Sequence, residues 1–226
     1  MTIHHPESPQ GYCDLEDLQR QFDGKQEVIR ERLKEFRMIG SGPDEEVFSE
    51  LCFCLLTPQS KARICDGAVK ELIATNLLLT GDPAEIAHSL RSTGVRFHNG
   101  KARWIVAARE QFLHDGTWSL KQRLGQFKDA FEAREWLVDN VMGLGYKEAG
   151  HFLRNIGAGD DLAILDRHIM KNLNRHGALD TPPRSLSRKE YMRIEQLMKE
   201  FSGRVGISLA ELDLLFWSRE TGEVFK

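Results

Sequence analysis

Apolar residues recur along this chain at steps of three and four. Ile194, Leu197, Met198 and Phe201 mark one helical face, and Leu209, Leu212 and Phe216 mark another. Start signals precede these runs. Ser187-Arg-Lys-Glu190 and Ser208-Leu-Ala-Glu211 read as capping boxes, and Asp82-Pro-Ala-Glu85 sets a cap, a first-position proline and a third-position glutamate in order. The spacing predicts further helices over about 25–37, 44–56, 59–75, 98–114 and 127–141, with another opening at Asp166. Sustained two-residue alternation, the mark of strands, is absent. Gly-Asp-Pro (81–83), Gly-Ala-Gly-Asp-Asp (157–161) and Thr-Pro-Pro (181–183) punctuate the runs, and there is no internal repeat. The expectation is an all-α fold of about ten short helices.

At 226 residues, 41% hydrophobic and 29% charged, the chain suits one large globular unit or two small lobes sharing a core. No apolar run approaches the ~20 residues of a membrane span. The opening Met-Thr-Ile-His-His-Pro-Glu has no basic stretch leading into an apolar one, so no signal peptide is expected and the cytoplasm is the default. Four cysteines, Cys13, Cys52, Cys54 and Cys65, form no C-x-x-C pair. Cys52 and Cys54 would point about 200° apart on a helix, a poor geometry for shared ligation. Their neighbours Leu51, Phe53, Leu55 and Leu56 favour buried free thiols, and no iron–sulfur cluster is expected.

The net charge of −3 argues against indiscriminate binding to polyanions. Between Ile86 and Arg109, however, the chain carries Arg91, Arg96, Lys101, Arg103 and Arg109 and no acid. Such a basic face can steer a phosphate backbone. Taken alone, a solvated helix surface explains it better.

Chemistry concentrates around Val141-Met-Gly-Leu-Gly-Tyr-Lys-Glu-Ala-Gly150. Gly143 and Gly145 are spaced for a tight turn with positive φ and close backbone approach, and Ala149, Phe152, Leu153 and Ile156 continue as a helix. A dinucleotide fingerprint fails here, because Glu148 stands at the third glycine and a helix, not a strand, comes before. Helix, Gly-x-Gly hairpin, helix is a helix–hairpin–helix, whose exposed N–H groups suit a DNA phosphate. Lys147 falls in the first turn, where the helix dipole disfavours a cation. Nineteen residues on, Asp166 opens a new helix. Asp is a good cap, yet if the connection folds back, both side chains would face one cleft.

With Leu165-Asp166-Arg-His-Ile added to the hairpin, the chain resembles the helix–hairpin–helix DNA glycosylases that carry a catalytic Lys and Asp. Within them it resembles the second, prokaryotic type of 8-oxoguanine DNA glycosylase/lyase. Leu56-Thr-Pro-Gln-Ser-Lys-Ala62, Val95-Arg-Phe-His-Asn-Gly-Lys-Ala102, Lys147 to Gly157, and Leu214-Leu-Phe-Trp217 through the terminal Lys226 carry the likeness from about residue 45 onward. The first 20 or so residues match nothing.

The resemblance implies a single catalytic unit over 1–226. Its expected lobes are about 45–145 and 1–44 with 158–226, and the helix–hairpin–helix of about 127–157 lies at their junction. It implies that a damaged purine in double-stranded DNA is flipped out and its glycosidic bond broken. Asp166 would stabilise the positive charge left on the sugar. Lys147 would attack C1′ as a free amine, forming a Schiff base that leads to β-elimination. Burial and the helix terminus would help it shed its proton. Gln59 would enter the gap left by the flipped base, Trp217 would stack on the purine, and Lys226 would help recognise the oxidised base. Gly143 and Gly145, with Arg96, Lys101 and Arg103, would grip the backbone.

No cofactor is required on this view, although a monovalent cation at the hairpin carbonyls belongs to the family pattern. The expected protein is a monomer acting on nucleoid DNA, without membrane contact. Two alternatives stay open: a related glycosylase for another damaged base, and a non-catalytic DNA-binding module.

Overall fold

The computed structural model describes residues 14–226, so Cys13 and the amino-terminal stretch lie outside the described residues. The chain runs α1 (Leu15–Asp23), α2 (Gln26–Ser41), α3 (Asp44–Leu56), α4 (Ala62–Ala74), α5 (Leu77–Thr80), α6 (Pro83–Ser92) and α7 (His98–Phe112). A short ladder of β1 (Leu113–His114) and β2 (Thr117–Trp118) follows, then α8 (Leu120–Leu124), α9 (Ala130–Asn140) and α10 (Tyr146–Asn155). The chain closes with α11 (Arg167–Arg175), α12 (Arg188–Val205) and α13 (Leu209–Thr221). Thirteen helices among the described residues exceed the expected ten: the four-residue α5 and five-residue α8 are too short to show a period, and the nine-residue α1 was not anticipated.

Three expected starts and ends move for local reasons. The helix expected from 59 begins at Ala62, because Gln59 adopts a left-handed conformation with φ 55°. The helix expected from 127 begins at Ala130, where the Asp129 side chain accepts from Phe131 N and Glu132 N. The helix expected to reach 114 stops at Phe112, because Asp115 and Gly116 (φ 49° and 75°) turn the chain back into an antiparallel ladder. The capping boxes at Asp82 and Ser208 form in full. At Ser187 only half forms, since Glu190 turns to Arg193 instead.

Two apolar clusters organise the fold. The first spans Val47 to Leu162 and centres on α3, whose Val47, Phe48, Leu51, Phe53, Leu55 and Leu56 are all buried. The second joins α1 and α2, through Leu18, Phe22, Ile29, Leu33 and Phe36, to α11, α12 and α13. Ile39 packs against both. Helix α10 packs on α2, α3 and α9, and so is held from three sides. Its close approach to α2 depends on Gly40, since a Cβ there would run into the main-chain carbonyl of Ile156.

Candidate active site

Between α9 and α10 the Leu144 N–H donates to Val141 O at 3.2 Å, closing a tight hairpin. Gly143 sits at φ 93°, and an added Cβ would lie 2.5 Å from Cδ2 of Trp104, so both backbone and space demand glycine. Gly145 corrects the sequence expectation. Its backbone is extended (φ −98°, ψ −178°) and needs no left-handed residue. Its missing side chain instead leaves room for Glu148, whose Oε2 would be 3.1 Å from a Cβ there. No side chain caps α10, so its first-turn N–H groups keep their donors for a ligand.

Lys147 stands in that first turn with 27% of its side chain exposed, and its Nζ lies 2.9 Å from Glu148 Oε1. Asp166 caps α11, its Oδ1 accepting from His168 N at 2.7 Å and Ile169 N at 2.8 Å. The buried segment Leu162 to Leu165 delivers it there. Tyr191 on α12 fixes that segment, donating its hydroxyl to Ala163 O at 2.7 Å and accepting from Leu165 N at 3.3 Å. Glu195 accepts from Ala163 N at 2.8 Å while pairing with the fully buried Arg134 of α9. Both ends of the expected catalytic constellation are thus set on helix starts whose approach is locked from neighbouring helices.

Asp213 on α13 was not anticipated. It is buried and paired with Arg154 of α10, Nη2 to Oδ2, at 3.0 Å. Burial pushes its carboxyl up to about 7 against the pull of Arg154; Asp166 adds to the rise and Lys147 opposes it.

The carboxyl terminus is tied down. Phe225 is buried against Trp217, ring centroids 6.1 Å apart, and the Arg63 guanidinium lies 3.8 Å above its ring while also pairing with Glu223. The terminal Lys226 donates its ammonium to Glu50 Oε2 at 2.9 Å and pairs with Asp66 Oδ1 at 3.0 Å, with the Phe53 ring 4.6 Å away. Burial alone would pull the ammonium down, but the two carboxylates outweigh it and hold it above the usual lysine value. Two of the three ammonium donors of Lys226 are thus engaged by carboxylates of the protein. Trp217 is half-buried, whereas its neighbour Phe216 packs into the core against Phe201 and His176.

His151, one turn after Lys147, is 8% exposed, meets Phe53 edge-on at 5.5 Å and reaches the main chain of Lys226. Burial holds its imidazole well below the usual histidine range, and the charges of Arg154, Lys147 and Lys226 add to the fall. Its Nε2 has no hydrogen-bond partner among the described residues.

The basic stretch divides. Arg96 and Arg103 are exposed, as backbone contacts require. Lys101 is not: it is 1% exposed, and its Nζ donates to Leu56 O and Pro58 O at 2.7 Å each and to Ser60 Oγ at 2.9 Å. Burial, chiefly, pushes its ammonium down to about 8. The expected phosphate contact is thereby corrected, since a side chain fully engaged inside the protein has no donor left for DNA. Gln59 lines a cavity of about 510 Å³ together with Pro58, Phe97, His98, Lys101 and Trp104. Phe97, 56% exposed and also left-handed at φ 57°, was missed by the sequence reading. Glu50, Asp66 and Asp213 were missed as well, although an acid inside an apolar helical run, as at Glu50 and Asp213, is a readable sign of a buried polar partner.

Cys52, Cys54 and Cys65 are buried free thiols, and burial pushes the Cys65 thiol up to about 11. Among the described residues no helix is long and apolar enough to cross a membrane.

A family model described as 8-oxoguanine DNA glycosylase matches residues 29–207. The 8-oxoguanine DNA glycosylase/AP lyase of Fusobacterium nucleatum is 41% identical over 199 residues, covering 88% of this chain and 91% of that one. The crystal structure of the Methanocaldococcus jannaschii 8-oxoguanine glycosylase/lyase in complex with a 15mer DNA containing 8-oxoguanine superposes with a TM-score of 0.85 at 36% identity, over 94% of this chain and 99% of that one. The 8-oxoguanine DNA glycosylase of Thermotoga maritima superposes with a TM-score of 0.83 at 35% identity, over 94% and 98%.

Proposed function

The chain belongs to the 8-oxoguanine DNA glycosylase family, and from that premise we propose that it excises 8-oxoguanine from duplex DNA and then nicks the strand at the abasic site. The observation that carries this reading is the position of Lys147 in the uncapped first turn of α10 and of Asp166 at the cap of α11. The open N-terminus of α10 and the exposed Arg96 and Arg103 supply the phosphate grip.

In this mechanism the Lys147 amine attacks C1′ and the base departs with the glycosidic electron pair. The Asp166 carboxylate stabilises the positive charge that develops on the sugar. The amine nitrogen gives up its protons as the C1′–O4′ bond opens, so that C1′=N forms as a Schiff base and O4′ leaves as a hydroxyl; loss of a C2′ proton follows, and the C3′–O bond breaks with departure of the 3′ phosphate. Lys147 attacks as the free amine, and the Glu148 carboxylate stands 2.9 Å from its Nζ. Trp217 offers a half-buried aromatic plane for stacking. Lys226, its ammonium engaged by Glu50 and Asp66, is assigned to recognition of the oxidised base.

A monovalent cation at the hairpin would be held by main-chain carbonyls such as that of Val141, which keeps a lone pair beyond its bond to Leu144. It would brace the hairpin on a phosphate and take no part in bond breaking. We assign the work to a monomer on nucleoid DNA in the cytoplasm.

The test is incubation with duplexes carrying one 8-oxoguanine, followed by assay for released base and nicked strand. Release of 8-oxoguanine with nicking supports the reading. An intact 8-oxoguanine duplex, with excision of some other lesion, would assign a different substrate.

A further inference from the structure

We propose that Lys101 is a positioning residue that holds Gln59 in the shape with which it enters the duplex. This rests on the reading above that Gln59 fills the gap left by the flipped base. Gln59 is a non-glycine residue at φ 55°, a strained conformation that persists only when its surroundings impose it. The three donors of the Lys101 ammonium are matched to Leu56 O, Pro58 O and Ser60 Oγ, which bracket Gln59 without touching it.

None of these partners is a carboxylate, so the buried charge is not there to make an ion pair. Methionine would fill the same volume without the cost of burying an ammonium; only a requirement for three donors at one point explains lysine. Lys101 also joins two loops. Its own N–H donates to Phe97 O at 3.1 Å, and Arg96 N donates to Ser60 Oγ at 3.1 Å. The strained Gln59 and Phe97 turns therefore share one fastening and line one cavity.

The experiment is a double-mutant cycle of Lys101→Met and Gln59→Ala, read as affinity for a duplex with a tetrahydrofuran abasic analogue and for the undamaged duplex. This binding needs gap filling and no chemistry, so a chain that failed to excise 8-oxoguanine would fail the functional reading and leave the cycle interpretable. Each single variant is expected to weaken analogue binding by about tenfold with the undamaged duplex unaffected, and the double variant to be no weaker than the worse single. Multiplicative loss in the double variant, wild-type affinity in Lys101→Met, or equal loss on undamaged DNA would overturn the proposal. Should Lys101→Met fold poorly, Ser60→Ala, which removes one of the three acceptors, enters the same cycle with the same criteria.

Discussion

Glu50 and Lys226 stand 176 positions apart and meet at 2.9 Å, Oε2 to Nζ. The same Glu50 accepts from Asn155 Nδ2 of α10 at 2.5 Å, so one buried carboxylate ties the last residue of the chain to the helix that carries Lys147. The ammonium of Lys226 is the anchor.

Glu50→Gln keeps a partner for Asn155 but weakens the anchor. It is expected to slow 8-oxoguanine excision on the order of tenfold, the worth of one charge-assisted hydrogen bond, and to leave nicking at a preformed abasic site unchanged. Deleting Lys226 removes the anchored side chain and should give the same split more strongly. Parallel loss of both activities would mean that Glu50 merely supports the fold.

Arg96 and Arg103 are exposed and available to phosphate. Replacing both with Gln should weaken damaged and undamaged duplexes alike and reduce the salt slope by about two. A loss confined to damaged DNA would show that they read the lesion.

His151 is buried with its imidazole held well below the usual histidine range. The unfolded chain takes up a proton as pH falls through about 6.5, whereas the folded ring stays neutral. Stability is therefore lost as pH drops below that value and is fully present above it. His151→Gln should flatten thermal stability between about pH 7 and 5 relative to wild type. An unchanged acid slope would show that the ring protonates freely in the fold.

Much of this was legible in the sequence because it rests on local signals. The caps at Asp82, Asp166 and Ser208 each depend on a few neighbouring residues, and the Gly143 turn is written in five. Lys101 could not be read in this way. Along the chain it belongs to a basic run, and only the fold brings it under the carbonyls of Leu56 and Pro58. Glu50 and Asp66 become a clamp only when Lys226 arrives from the far end of the chain, a long-range meeting that no periodicity encodes.

Asp166 has two functions to separate, capping α11 and stabilising charge on the sugar. Asn caps helices as well as Asp does, so Asp166→Asn should melt near the wild-type temperature while base removal slows on the order of 10²–10³. Near-normal excision with a lowered melting temperature would make Asp166 structural.

The central claim is that Lys147 is the nucleophile. Borohydride reduction of the protein mixed with an 8-oxoguanine duplex should freeze a covalent protein–DNA adduct through its Nζ. Lys147→Gln should bind the same duplex with near wild-type affinity yet give neither adduct nor nick. An adduct of normal yield from Lys147→Gln would contradict the account.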